Sequence, residues 1–175
     1  MNRNLILLLA AGAFGIILLS LAMKPGSFPG MTPPMPPDTQ NQAESADATA
    51  AKVMVARAVE FVNEHGTAAL IERVNAAAPE FHYGEHYVFV MDNTATIVAH
   101  PINPTWVGVG DETGRDADGN PFFAQMVAAA AENPDGTWFN YRWPNPVTGE
   151  VATKSSWVVM RDDHLIGVGI YLEEE

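Results

Sequence analysis

The chain has 175 residues, 21 of them acidic and 9 basic, for a net charge of −12, and it contains no cysteine. The missing thiol excludes disulfides, thiolate catalysis and lipid attachment through cysteine. Past residue 50 there are 18 acidic and 7 basic side chains, a net −11, and such a surface repels nucleic-acid phosphates and anionic lipid, so no nucleic-acid partner is expected.

The chain opens on an apolar segment. Leu5 to Met23 is 19 residues without a charge, flanked by Arg3 and Lys24. At about 1.5 Å per residue, a helix of this length crosses a hydrocarbon core of roughly 30 Å. Residues 1–23 are therefore expected to be a transmembrane anchor or, given the basic start and the small-x-small sequence Ser20-Leu21-Ala22, a cleaved signal peptide. Arg3 is the one charged side chain ahead of the span, which puts the N-terminus on the cytoplasmic side. Everything after Lys24 is then expected outside the cytoplasm, on the periplasmic side, held at the inner membrane or released after cleavage. Residues 24–47 read as a disordered spacer, because Pro25, Pro29, Pro33, Pro34, Pro36 and Pro37 fix φ and remove backbone donors.

Residues 48–175 are expected to form one domain. Asp47 or Thr49 is placed to cap a first helix, whose apolar positions are Val53, Ala56, Val59, Phe61 and Val62. Gly66 interrupts it, and Thr67 starts a second helix carrying Leu70, Ile71 and Val74. The period then changes to two. Residues 87–91 and 96–100 are β-rich runs around an Asp92-Asn93-Thr94 turn, which predicts a hairpin. A Gly/Asp-rich loop, residues 108–120, leads to an alanine-rich helix from about Pro121 to Glu132. Strands are expected over 137–143, 152–160 and 166–172, separated by Pro144-Asn145-Pro146 and Asp162-Asp163 turns. Strands joined by short turns imply an antiparallel sheet in an α+β domain.

Five stretches carry a resemblance. Tyr87-Val-Phe-Val-Met-Asp92, Val98-Ala-His-Pro101, Tyr141-Arg-Trp-Pro-Asn-Pro146, Lys154-Ser-Ser156 and Gly167-Val-Gly-Ile-Tyr171, in this order and spacing, resemble single Cache domains. These are extracytoplasmic sensor modules of bacterial chemoreceptors and histidine kinases. The resemblance implies a PAS-like antiparallel sheet of five or six strands with a long N-terminal helix, and a pocket for a small organic ligand, often a short carboxylate. The chain departs from the family pattern at Ala95, where glycine is usual, and at Trp157, where tyrosine is usual and which is expected near the pocket. Signalling members continue through a second span into a transmitter, whereas this chain ends at Glu173-Glu174-Glu175. A separate receptor, kinase or transporter is thus expected to read its bound state.

A buried carboxylate needs a cation and hydrogen-bond donors in place of water. Arg142 and Lys154 are the cations within predicted strands, with His100 at a strand end. Alternation places Phe139, Tyr141 and Trp143 on one face, opposite Trp138, Asn140 and Arg142, and groups Lys154, Ser156 and Val158 opposite Ser155 and Trp157. Tyr141, Trp143 and Lys154 are the expected site: Lys154 pairs with the carboxylate, Tyr141 donates, and Trp143 forms an apolar wall. The family pattern marks the same positions. Against this, Lys154 reads as a solvated edge-strand lysine, and Trp143 and Tyr141 as packing residues. His100 is a further contact or a structural hydrogen-bonding residue, Tyr87 and Phe89 are floor or core, and Trp106, in the loop after the hairpin, is a candidate lid.

The acidic loop (Asp111, Glu112, Asp116, Asp118) fails the EF-hand spacing, since the position eleven residues after Asp116 is Val127. His82 and His86 lack a zinc motif. Neither a metal nor a cofactor is expected. No nucleophile elbow, P-loop or dinucleotide fingerprint is present, so no enzyme is expected. Two functions compete: a small-molecule sensor, and a ligand-free protein-interaction domain on the same fold.

Overall fold

The computed structural model describes residues 45–173. The expected anchor or signal (1–23) and nearly all of the proline-rich tract lie outside them. Among the described residues, no helix is long and apolar enough to cross a membrane.

Helix α1 runs Ala46–His65, and its N-cap is Ser45, whose hydroxyl accepts from Ala48 N at 3.0 Å. Asp47 and Thr49, the expected caps, lie inside the first turns instead. Gly66, at φ 82°, breaks the chain into α2, Thr67–Asn75. The buried stripe of α1 is Ala48, Ala51, Ala58, Val55 and Val62, while Val53 is 52% exposed. The expected face therefore rotates. Small alanines bring the helix close to the sheet, and bulky Val53 is left to solvent.

Six strands follow: β1 His82–Tyr83, β2 His86–Asp92, β3 Ile97–Ala99, β4 Thr137–Pro144, β5 Val151–Arg161 and β6 His164–Tyr171, with α3 (Phe123–Glu132) between β3 and β4. The antiparallel order is β1-β2-β6-β5-β4, and β3 also pairs with the outer edge of β2. The sheet is thus the antiparallel α+β one expected, with β1 as an unforeseen addition.

Turn chemistry fixes the register. Asp162 and Asp163 both have positive φ, 47° and 59°, the geometry of a tight two-residue hairpin between β5 and β6. In the β2–β3 hairpin the Asp92 carboxylate accepts from Thr94 N and Thr96 N, both at 2.9 Å. Ala95 sits there at φ 63°, a conformation that glycine adopts without strain. Its methyl group is buried, which offsets part of that cost.

Two apolar layers enclose the sheet. On one face α1 and α2 cover Val88, Val90, Ile166, Val168 and Ile170. On the other, α3 and the preceding loop cover Phe89, Met91, Tyr141, Trp143, Val158 and Leu165.

Candidate ligand-binding site

Register decides which side chains meet. Tyr141 pairs with Lys154, Lys154 with Tyr171, Ser156 with Gly169, and Phe89 with Gly167. Directly opposed residues share a face, so Tyr141, Lys154, Ser156, Phe89 and Tyr87 all point toward α3. The two glycines are needed for close approach. A Cβ at 169 would lie 2.0 Å from Lys154 Cε, and one at 167 would lie 2.5 Å from Phe89 Cζ. The Lys154 stem therefore lies flat across β6 where position 169 has no side chain.

A small cavity sits on this face. Its free space is about 20 Å³, the room for roughly one water. Tyr87, Phe89, His100, Tyr141 and Trp143, all expected site residues, line it. Met91, Ile97, Phe122, Phe123 and Met126 complete the wall. Trp106 packs against Trp143 with ring centroids 4.7 Å apart, and Phe122 stacks on Tyr141 at 4.6 Å and 20°.

Lys154 stands behind this wall and is not among its lining residues. It is 1% exposed and lies on a central strand, so the solvated-edge reading is overturned. Its Nζ donates to Tyr87 Oη at 2.6 Å and lies 4.0 Å and 5.1 Å from the Tyr87 and Tyr171 ring centroids. It forms no ion pair with any described residue. An ammonium has three donors, and one neutral hydroxyl with two ring faces poorly replaces its hydration. Burial accordingly pulls the Lys154 amine down to about 7, against a smaller opposing pull from Glu85.

The neighbours are tuned to stay neutral. Burial, and then the Lys154 charge, pull His100 down to about 4. Its Nδ1 accepts from Asn103 N at 3.1 Å, which assigns the proton of the neutral ring to Nε2. Burial pushes the Tyr87 phenol up to about 12, and pushes Tyr141 and Tyr171 up as well. Tyr141 Oη and Ser156 Oγ are 3.0 Å apart, and Tyr171 Oη donates to Pro144 O at 2.8 Å. Asn145 holds the β4–β5 turn by accepting from Val147 N and Thr148 N, and its Nδ2 donates to Glu85 Oε1 at 3.1 Å. The site is therefore one buried cation, several hydroxyl groups and an aromatic surround.

Trp157 is a correction. It faces the helix layer, opposite the cavity, with Trp138 5.4 Å away and Lys52 Nζ 4.3 Å from its ring. Strand alternation already separated it from Lys154. The wall formed by Phe122 and the start of α3 was missed because Phe122, Phe123 and Met126 read equally well as ordinary core. The acidic loop is occupied with its own backbone: Asp116 Oδ1 accepts from Asp118 N and Asn120 N. No cluster of three or more metal-capable side chains occurs among the described residues.

The model of the family described as single Cache domain 2 matches residues 39–174. The chain belongs to this family. Among curated relatives, it is 32% identical over 92 residues (51% of the chain) to the methyl-accepting chemotaxis protein McpP of Pseudomonas putida. It is 31% identical over 106 residues (59%) to the sensor histidine kinase MctS of Rhizobium johnstonii. These stretches are 17% and 23% of the two relatives, so the chain spans less than a quarter of their length. A Cache chemosensory domain, solved for the structural basis of its carboxylic acid recognition, aligns with a TM-score of 0.62 at 22% identity, over 78% of this chain and 100% of that one. A methyl-accepting chemotaxis protein of Vibrio parahaemolyticus gives 0.61 at 21% identity, over 76% and 95%. These likenesses show the Cache fold. The chain is a Cache sensor domain, of the kind found in chemoreceptors and histidine kinases.

Proposed function

We propose that this Cache domain binds a short organic acid outside the cytoplasm and serves as the sensory input of a signalling or transport system. One observation carries the reading: Lys154 is buried within the sheet and forms no ion pair with any described residue, beside an aromatic cavity. A carboxylate supplies what the ammonium lacks, an anionic acceptor in a site from which water is excluded. Tyr87 Oη now occupies a donor position of Lys154; the acid displaces it or inserts beside it. Tyr141 and neutral His100 donate to the second carboxylate oxygen, and Trp143 and Phe89 contact the carbon skeleton.

The receptor and kinase relatives, and the carboxylic acid that a similarly folded neighbour recognises, support this assignment. Extracytoplasmic placement is supported by the charge-free segment Leu5–Met23 and by the likeness, at a TM-score of 0.56, to a periplasmic sensor domain of a chemotaxis protein. In this reading the domain has no catalytic role. Calorimetric titration of the full chain with acetate, propionate, pyruvate and matching alkylamines tests the proposal. Acids bind and amines do not, and Lys154→Ala weakens acid binding by roughly a hundredfold, in the range for breaking a desolvated charge pair. Equal acid affinity in wild type and variant, or binding of amines alone, overturns it.

A further inference from the structure

Phe122 holds a position in the cavity that no strand residue could supply. It is the residue immediately before α3, at φ −140° and ψ −13°, where the loop joins the helix. Its ring is 4% exposed and lies flat on Tyr141. The same ring meets Trp143 edge-on at 5.7 Å and Phe123 at 4.6 Å. It thus covers the Tyr141 face and, with Phe123 and Met126, closes the side of the cavity that the sheet leaves open. Trp106 backs Trp143 from the loop. With about 20 Å³ free inside this ring of aromatics, ligand size is set by how far they yield.

The lining residues differ in how the fold holds them. Tyr141 and Trp143 are fixed by strand pairing across β4 and β5. Phe89 is pinned over Gly167, and Phe123 is seated against Gly114, where a Cβ would lie 2.4 Å from its ring. Met91 and Met126 are unbranched and adapt to small changes. Phe122 is rigid in shape yet belongs to a loop–helix junction, so it is the wall whose side chain determines size without being part of the sheet.

We propose that Phe122 is the specificity-determining residue of this site. Its ring restricts the pocket to acids of a few carbon atoms by occupying the space beside Tyr141 that a longer or aromatic tail would need. The inference rests on the acid-binding reading above and adds to it which residue excludes larger acids. Removing the phenyl ring opens space on the order of 100 Å³, approaching the scale of apolar cavity that accepts benzene.

The test is a calorimetric series on the full chain with acetate, propionate, butyrate, hexanoate and benzoate, in wild type, Phe122→Leu and Phe122→Ala. Wild type prefers the shortest acids and rejects hexanoate and benzoate. Phe122→Leu moves the preference toward butyrate, and Phe122→Ala improves benzoate relative to propionate by roughly tenfold or more, the scale of one to two methylene-sized contacts. An unchanged rank order and unchanged ratios in the folded variants overturn the assignment. So does a wild type that binds hexanoate as tightly as propionate, a result needing no variant. If wild type binds none of the acids, both readings fall; if it binds them and the Phe122 variants change nothing, this one falls alone.

Discussion

Burying an ammonium against two phenol rings, with a single hydroxyl as hydrogen-bond partner, leaves Lys154 short of the interactions that water gave it. The sign of its effect follows from linkage. Its amine titrates near 7 in the folded domain and near 10.4 in an unfolded chain. Between those values the unfolded chain binds more protons, so this group's contribution to stability rises with pH and is lost as pH falls toward 7. Lys154→Met keeps the stem and removes the charge. The variant is expected to be more stable than wild type by about 1–4 kcal/mol near pH 6, with the gap closing toward pH 10. Urea midpoints at pH 6, 8 and 9.5 measure this; a less stable variant with a constant gap defeats the argument. Lys154 stood out in the sequence because cations in the predicted strands are so few. Its burial was not legible there, because that depends on Gly169 in a strand paired beside it.

Helix α3 shows how a loop residue can stabilise an element thirteen positions away. Phe122 offers α3 no side-chain acceptor at the N-cap. Asp111 supplies one instead, accepting from Ala124 N at 2.9 Å, and its charge also favours the positive end of the helix. Asp111→Ala is expected to cost about 1 kcal/mol, read as a lower thermal midpoint, whereas Asp111→Asn keeps most of the bond. Equal midpoints for wild type and Asp111→Ala would refute the capping role. The strands β2, β4, β5 and β6 were legible because period-two runs ended at turn residues such as Asp162-Asp163. β1 was not, because two residues make no period. The buried face of α1 was not either, since Ala48, Ala51 and Ala58 carry little hydropathy contrast with their neighbours.

At the scale of the whole domain, the site joins residues from β2, β4 and β5 with His100 and Phe122 from the intervening chain. Strand faces could be assigned from alternation alone, and Tyr87, Tyr141 and Lys154 do converge. The closing wall depended on how α3 docks, which no local pattern encodes. This convergence couples binding to protons. A carboxylate needs the charged form of Lys154, whose amine in the empty site titrates near 7. His100 is held near 4 and Tyr87 near 12, so neither changes charge between pH 5 and 9. Affinity for propionate is therefore expected to be greatest near pH 6, where the acid is ionised and the amine protonated, then to fall by up to about tenfold per pH unit above 7, with one proton involved. Titrations at pH 7 in two buffers of different ionisation enthalpy should show uptake of about half a proton per acid bound, the fraction of Lys154 that is neutral there. Saturation with acid raises the amine's pKa by opposing its charge. The stabilisation that the acid adds to the domain consequently shrinks as pH climbs from 7 toward 10, the reverse of the trend in the empty domain. Affinity that stays constant from pH 6 to 9, or protons released on binding, would mean that the acid does not meet the Lys154 ammonium.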